Sequence, residues 1–100
     1  MAGAGKSIKD TMGSREDIKN QLKREGYRLI HEYSDAPNDE FPDHDHEGDQ
    51  LMIIVEGSIA VRMGGKDYVL KARDELRVPA KVKHSAKVSA EGCKYLVGEK

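Results

Sequence analysis

Two histidines one residue apart, His44 and His46, lie in the stretch where the chain's chemistry concentrates: Pro42-Asp43-His44-Asp45-His46-Glu47-Gly48-Asp49-Gln50. Successive side chains of an extended strand point to opposite faces, so His44 and His46 share a side and can converge on one point. Neutral imidazole nitrogens held that way are ligands for a transition metal. Gln50 has the same parity and joins them if the strand resumes without a register shift. A third imidazole, His84, follows Pro79-Ala80-Lys81-Val82-Lys83. The acidic residues between the histidines raise calcium as an alternative, since Asp43, Asp45, Glu47 and Gly48 mimic the start of an EF-hand loop. The twelfth position of that loop is Ile54, where a bidentate glutamate is required, and no helices flank it. The acidic residues are read instead as a solvated rim facing away from the histidines.

The elements that must hold these residues can be read from periodicity. Residues 1–13 are read as a flexible arm and residues 14–100 as one domain. Gly3-Ala4-Gly5-Lys6-Ser7 resembles the end of a phosphate-binding loop, but its first glycine would precede Met1 and no strand leads into it. A helix is expected over residues 14–25. Ser14 can cap it, Glu16 and Asp17 suit the dipole of its first turn, Ile18 and Leu22 share a face, and Gly26 is a natural stop. From Tyr27 the period changes to two, giving a strand over residues 27–33, and residues 35–42 read as a loop with two prolines. Residues 51–55 are apolar throughout, as in an inner strand, and Gly57 interrupts them. Further strands are expected over residues 59–63, 66–70, 75–78, 84–89 and 94–97, with turns at Gly64-Gly65 and Glu91-Gly92. About seven or eight short strands with regular turns indicate an all-β sandwich or closed barrel.

Composition narrows the partners. The chain has 37% hydrophobic and 35% charged residues and a formal net charge of −1, so no basic surface is offered to nucleic acid. No segment has the roughly 18–20 apolar residues of a membrane span, and the first thirteen residues lack a signal-peptide core. The one cysteine, Cys93, excludes an internal disulfide and suits a reducing compartment. Cys93 is placed in a late turn, and the expected location is cytoplasmic.

The order His44-x-His46-x3-Gln50-x6-Gly57, followed by Pro79 and His84, resembles the two motifs of the cupin superfamily, G-x5-H-x-H-x3-4-E-x6-G and G-x5-P-x-G-x2-H-x3-N. The departures are specific. Asn38, Arg73 and Lys81 stand at three glycine positions, Gln50 replaces the metal-binding glutamate, and Val88 replaces the final asparagine. The resemblance spans residues 27–98. It implies a jelly-roll β-barrel carrying the N-terminal helix, with His44, His46, Gln50 and His84 meeting in its mouth around a divalent transition metal: iron, manganese, nickel, copper or zinc. It also implies a small organic ligand and a homodimer, with isoleucine and valine side chains of an outer face in the contact.

Gln50 leaves three readings open. It ligates as a neutral amide, leaving the ion its full double charge; it stands aside, leaving three histidines and water; or the site is degenerate and empty. A glutamine cannot act as a general base, so a proton-transfer role would pass to Glu47, Asp49 or Glu56. His31 is a candidate fourth histidine, weighed against ordinary packing on its strand. Met52 and Ile54 share the parity of Gln50 and are expected to form apolar wall. Arg62, Tyr68 and Arg77 are candidate contacts to an anionic substrate, and each also fits packing or surface charge. Two function classes follow from the resemblance. One is a metal-dependent enzyme, of oxygenase or isomerase type, acting on a small organic molecule. The other is a non-catalytic small-molecule-binding domain whose metal is structural or absent. A barrel with one short helix leaves no room for a separate DNA-binding module, which argues against a transcriptional regulator.

Overall fold

A computed structural model describes residues 15–100. The arm, the phosphate-loop remnant and the Ser14 cap lie outside the described residues. Among the described residues, helix α1 (Arg15–Arg24) precedes six strands: β1 (Leu29–Asp35), β2 (Glu40–His44), β3 (Gln50–Met63), β4 (Lys66–Lys71), β5 (Glu75–Val78) and β6 (His84–Glu99).

The architecture is dictated by two long strands. β3 and β6 run antiparallel along their whole length, from Gln50 opposite Glu99 to Met63 opposite His84. Their register shifts between Ile54 and Glu56 and again between Gly57 and Ile59, and there the ladder folds over on itself. Gly57 and Gly92 mark the fold, both with positive φ, at 79° and 82°. The first half of β3 and the last half of β6 form one sheet with β5 and β1 on its two edges. The other halves form a second sheet with β4 and β2 on its edges. The all-β jelly-roll expectation is met, with six strands rather than seven or eight. The segments expected at 51–55 and 59–63 are one bent strand, and so are those at 84–89 and 94–97. Local sequence at Gly57 and Gly92 signals an interruption, but pairing to a common partner carries each strand through it.

Two cores follow from the alternation of side chains. Met52, Ile54, Ile59, Val61, Leu70, Val88, Tyr95 and Val97 fill the space between the sheets. Leu51, Ile53 and Leu96 point the other way and meet Ile18, Leu22 and Tyr27. Helix α1 therefore covers the outside of the first sheet with the Ile18–Leu22 face. It ends where Gly26 N donates to Lys23 O and Tyr27 N to Leu22 O, bonds that bring Tyr27 back onto Leu22. Lys19 and Arg15 pair with Glu32 of β1, tying the helix to the strand beneath it.

Two expectations are corrected here. The loop expected over residues 35–42 contains the start of β2, an edge strand that tolerates Pro42 because its register shifts between Phe41 and His44. Cys93 is a buried residue of β6 rather than part of a turn, and burial, aided by the Asp35 carboxylate, pushes its thiol up to about 11.

Candidate metal centre

The fold-over brings the far ends of β3 and β6 back to one mouth. His84 begins β6 and lies directly opposite His44, the last residue of β2. His46 follows in the connection to β3, where its carbonyl accepts from Lys81 N at 2.7 Å. The turn before His84 is thereby tied to the segment carrying the other two histidines. The imidazole centroids are 4.3 Å apart for His44–His84, 5.0 Å for His44–His46 and 5.2 Å for His46–His84. One ring nitrogen from each lies within 4.8 Å of the others. Two metal–nitrogen bonds span about 4 Å, so modest rotation of the more open His44 and His46 rings closes the set.

Hydrogen bonds fix the ring states. His44 Nδ1 lies 2.7 Å from the Pro42 carbonyl, and His84 Nδ1 lies 3.1 Å from that of Val82. A carbonyl only accepts, so each Nδ1 carries a proton, and in the neutral ring Nε2 is the nitrogen with the lone pair. His84 is buried, and desolvation holds its pKa below the usual histidine range; the neighbouring His44 and His46 push it the same way. Three converging imidazoles, one of them buried and two oriented by carbonyls, suit a first-row transition metal.

The histidines open onto a cavity of about 200 Å³ between the sheets, which Gln50 also lines. Its walls are apolar, with Phe41, Met52, Val61 and Val97 prominent. At the far end Tyr95 donates its hydroxyl to Asp35 Oδ2 at 2.6 Å, and Tyr33 stacks on Tyr95 with centroids 5.2 Å apart. The Tyr95 pKa is raised by burial and by this carboxylate, so the hydroxyl stays protonated.

The other candidate residues are dispersed. Met52 lines the cavity, and Ile54 sits deeper in the same core. Tyr68 packs against that core from β4. Arg62 lies at the surface, paired with Asp67, because it points out of the second sheet. Arg77 donates to the Tyr27 hydroxyl at 3.1 Å, on the helix side of the first sheet. Neither arginine lines the cavity. His31 is exposed beside Tyr33 and is outside the histidine cluster. Of the acids weighed as stand-ins for a glutamate, Asp49 accepts from Ala80 N at 2.8 Å and Glu56 pairs with Lys94 at the fold of the ladder. Glu47 is exposed. The carboxylate that reaches Gln50 is Glu99, 3.0 Å from its Nε2. Sequence reading missed Glu99 because it is 49 residues away, and only the β3–β6 register joins them.

The cupin domain model matches residues 31–97. The chain therefore belongs to the cupin family, the class that its folded-over double sheet and histidine cluster already define. Among solved structures it is similar to a cupin superfamily protein from Desulfitobacterium hafniense, with 24% identity and a TM-score of 0.66 over 70% of this chain and 63% of that one. An RmlC-like cupin from Shewanella frigidimarina gives 27% identity and a TM-score of 0.66, over 71% of this chain and 63% of its own. A protein from Neisseria meningitidis gives 24% and 0.62, over 70% of each. The chain thus spans less than two thirds of the length of the first two. No curated protein matches it. Among the described residues no helix is long and apolar enough to cross a membrane.

Proposed function

We propose that this protein is a metal-binding small cupin in which His44, His46 and His84 hold a divalent transition metal, with Gln50 beside them, and that the adjoining cavity takes a small organic molecule. The observation that carries this reading is the cluster of three ring nitrogens within 4.8 Å, two of them freed for coordination by carbonyls on the opposite nitrogen. A bound ion supplies Lewis acidity and, if it is iron, manganese or copper, redox chemistry. The chain's own residues do the rest. Phe41, Met52 and Val97 exclude water and hold an apolar body, while the Tyr95–Asp35 pair gives a polar anchor at the far end. Oxygenase-type turnover is the enzymatic form of this reading.

A specific observation favours the non-catalytic alternative. Asp35, the carboxylate that lines the cavity, and Glu99, the one bonded to Gln50, are both engaged by a neighbour's donor, so neither is an uncommitted base for proton transfer. The resemblance to small cupins adds a homodimer to this reading. Tyr33 faces the cavity, so Leu29, four residues back, shares its face on the edge strand β1. Leu29 is 55% and Tyr33 43% exposed, apolar surface that a second copy would cover.

The test is elemental analysis of protein purified without chelator or added metal, with His44→Ala/His84→Ala as control. Near-stoichiometric metal that is lost in the control is expected. Oxygen uptake on a panel of small acids and phenols with Fe(II) then separates enzyme from binder. Failure to take up any ion even on reconstitution would sink the metal reading, and a monomeric mass at micromolar concentration would sink the dimer.

A further inference from the structure

We infer that Glu99 is a positioning residue for the metal centre, its carboxylate turning the Gln50 amide so that the amide oxygen faces the histidines. This rests on reading the histidine cluster as a metal site. An amide has a donor end and an acceptor end, and only the acceptor can approach a cation. Glu99 decides which end points where. A carboxylate only accepts, so the group 3.0 Å from Glu99 Oε1 is the Gln50 NH2, and Oε1 is the other end. Among the described residues this is the only hydrogen bond of the Gln50 side chain.

Gln50 is buried at 9% exposure, yet among the described residues no buried side-chain nitrogen or oxygen lacks a partner. Its Oε1 is thus in contact with open space, and the space that Gln50 lines is the cavity shared with His44, His46 and His84. The result is an uncommitted oxygen lone pair beside three imidazoles. Its counter-charge sits one hydrogen bond away rather than on the ligand itself.

The backbone enforces the arrangement. Gln50 and Glu99 are directly opposite in the β3–β6 ladder. Lys100 N donates to Asp49 O at 2.9 Å, and Arg28 N to Glu99 O at 3.1 Å, so the backbone of Glu99 and the residues next to the pair are pinned. On its other side Gln50 faces Val78, which offers no side-chain acceptor. Where the family carries a charged ligand, this chain divides the task between a neutral oxygen and a carboxylate behind it. Such outer partners typically set metal affinity by about 10- to 100-fold.

The test is Co(II) affinity by chelator competition, read together with the Co(II) visible spectrum, on wild type, Glu99→Ala, Gln50→Ala, His84→Ala and the exchange Gln50→Glu/Glu99→Gln. Glu99→Ala is expected to weaken Co(II) by about tenfold or more and to give the spectrum of Gln50→Ala. The exchange re-forms the hydrogen bond with donor and acceptor reversed, and is expected to bind at least as tightly as wild type. Glu99→Ala within twofold of wild type would overturn the inference while leaving the metal site standing. So would an exchange variant as weak as Glu99→Ala, since a purely structural Glu99 gains nothing from a carboxylate at position 50. Wild type that takes up no Co(II), or binds it as well as His84→Ala does, defeats the metal reading itself and the inference with it.

Discussion

Three imidazoles within a few ångströms cannot all be protonated without repulsion, and His84, the buried one, resists protonation. Its pKa is depressed, chiefly by desolvation and further by His44 and His46, from an ordinary value of 6.5. In the unfolded chain it titrates near that value. Below it the unfolded state takes up a proton that the folded state refuses, so stability rises with pH through this range. The stability that His84 contributes to the metal-free protein is therefore fully present above the unfolded pKa and is lost as pH falls through the depressed folded one. Denaturation midpoints from about pH 7.5 down to about 5.5 should decline for wild type and decline less for His84→Gln, which has no proton to gain. Equal slopes for the two proteins would show that His84 is not the group responsible. The pairing of His44 with His46 was legible from spacing, and His84 joined them through the order of the two cupin motifs. Their tautomers were not, because these depend on where the Pro42 and Val82 carbonyls fall. Glu99 was invisible for a related reason: its role comes from a cross-strand register that no local window contains.

At the scale of the elements, the departures from the family's glycines carry information. Asn38, Arg73 and Lys81 all keep a left-handed backbone, with φ of 66°, 76° and 64°. The turns thus require positive φ whichever residue occupies them. The substitution changes the strain and not the shape. Lys81 holds its conformation while its N–H reaches His46 O and Arg73 N reaches Ile54 O, both at 2.7 Å. A non-glycine residue in that region costs about 1–3 kcal/mol, offset in part by the roughly 0.5–1 kcal/mol of extra backbone entropy that glycine loses on folding. Lys81→Gly should therefore stabilise the domain by about 1 kcal/mol, raising Tm by roughly 4–8 °C in a domain of this size. Lys81→Ala retains a Cβ and should show no such gain, and thermal melts of the two variants side by side decide the matter. A glycine variant no more stable than the alanine would mean that the turn is not strained. The strands tell a complementary story of what sequence conveys. The apolar run 51–55 announced an inner strand correctly. Its continuity through Gly57 into Met63 is a property of pairing with β6, and the local pattern showed only the interruption.

The whole molecule depends on that interruption. Gln50 and Glu99 stand at one end of the β3–β6 ladder, and Met63 and His84 at the other. In a straight ladder of fourteen residues these ends would be about 45 Å apart. Gln50 and His84 line one cavity because the ladder folds over where Gly57 lies against Gly92. A Cβ on Gly57 would run into the Gly92 carbonyl, whose oxygen and carbon are both backbone and cannot rotate aside. Gly64, in the β3–β4 turn, offers a control. Its φ is also positive, at 60°, but a Cβ there meets nothing within 4 Å. Gly64→Ala therefore measures the cost of the left-handed backbone alone, about 1–2 kcal/mol, and should leave metal affinity unchanged. Gly57→Ala carries the same backbone cost plus the clash, and should lose at least about 3 kcal/mol in total. Because the clash forces apart the two sheets that bring His84 to Gln50, its Co(II) affinity should fall as well, measured under conditions where the variant is still folded. Equal destabilisation in the two variants would mean that the sheets can separate at the fold without strain. Loss of stability with unchanged Co(II) affinity would mean that the histidines of the second sheet hold the ion without help from the first. The closeness of two backbones at Gly57 and Gly92 sets the distance between donors at the opposite end of the sandwich.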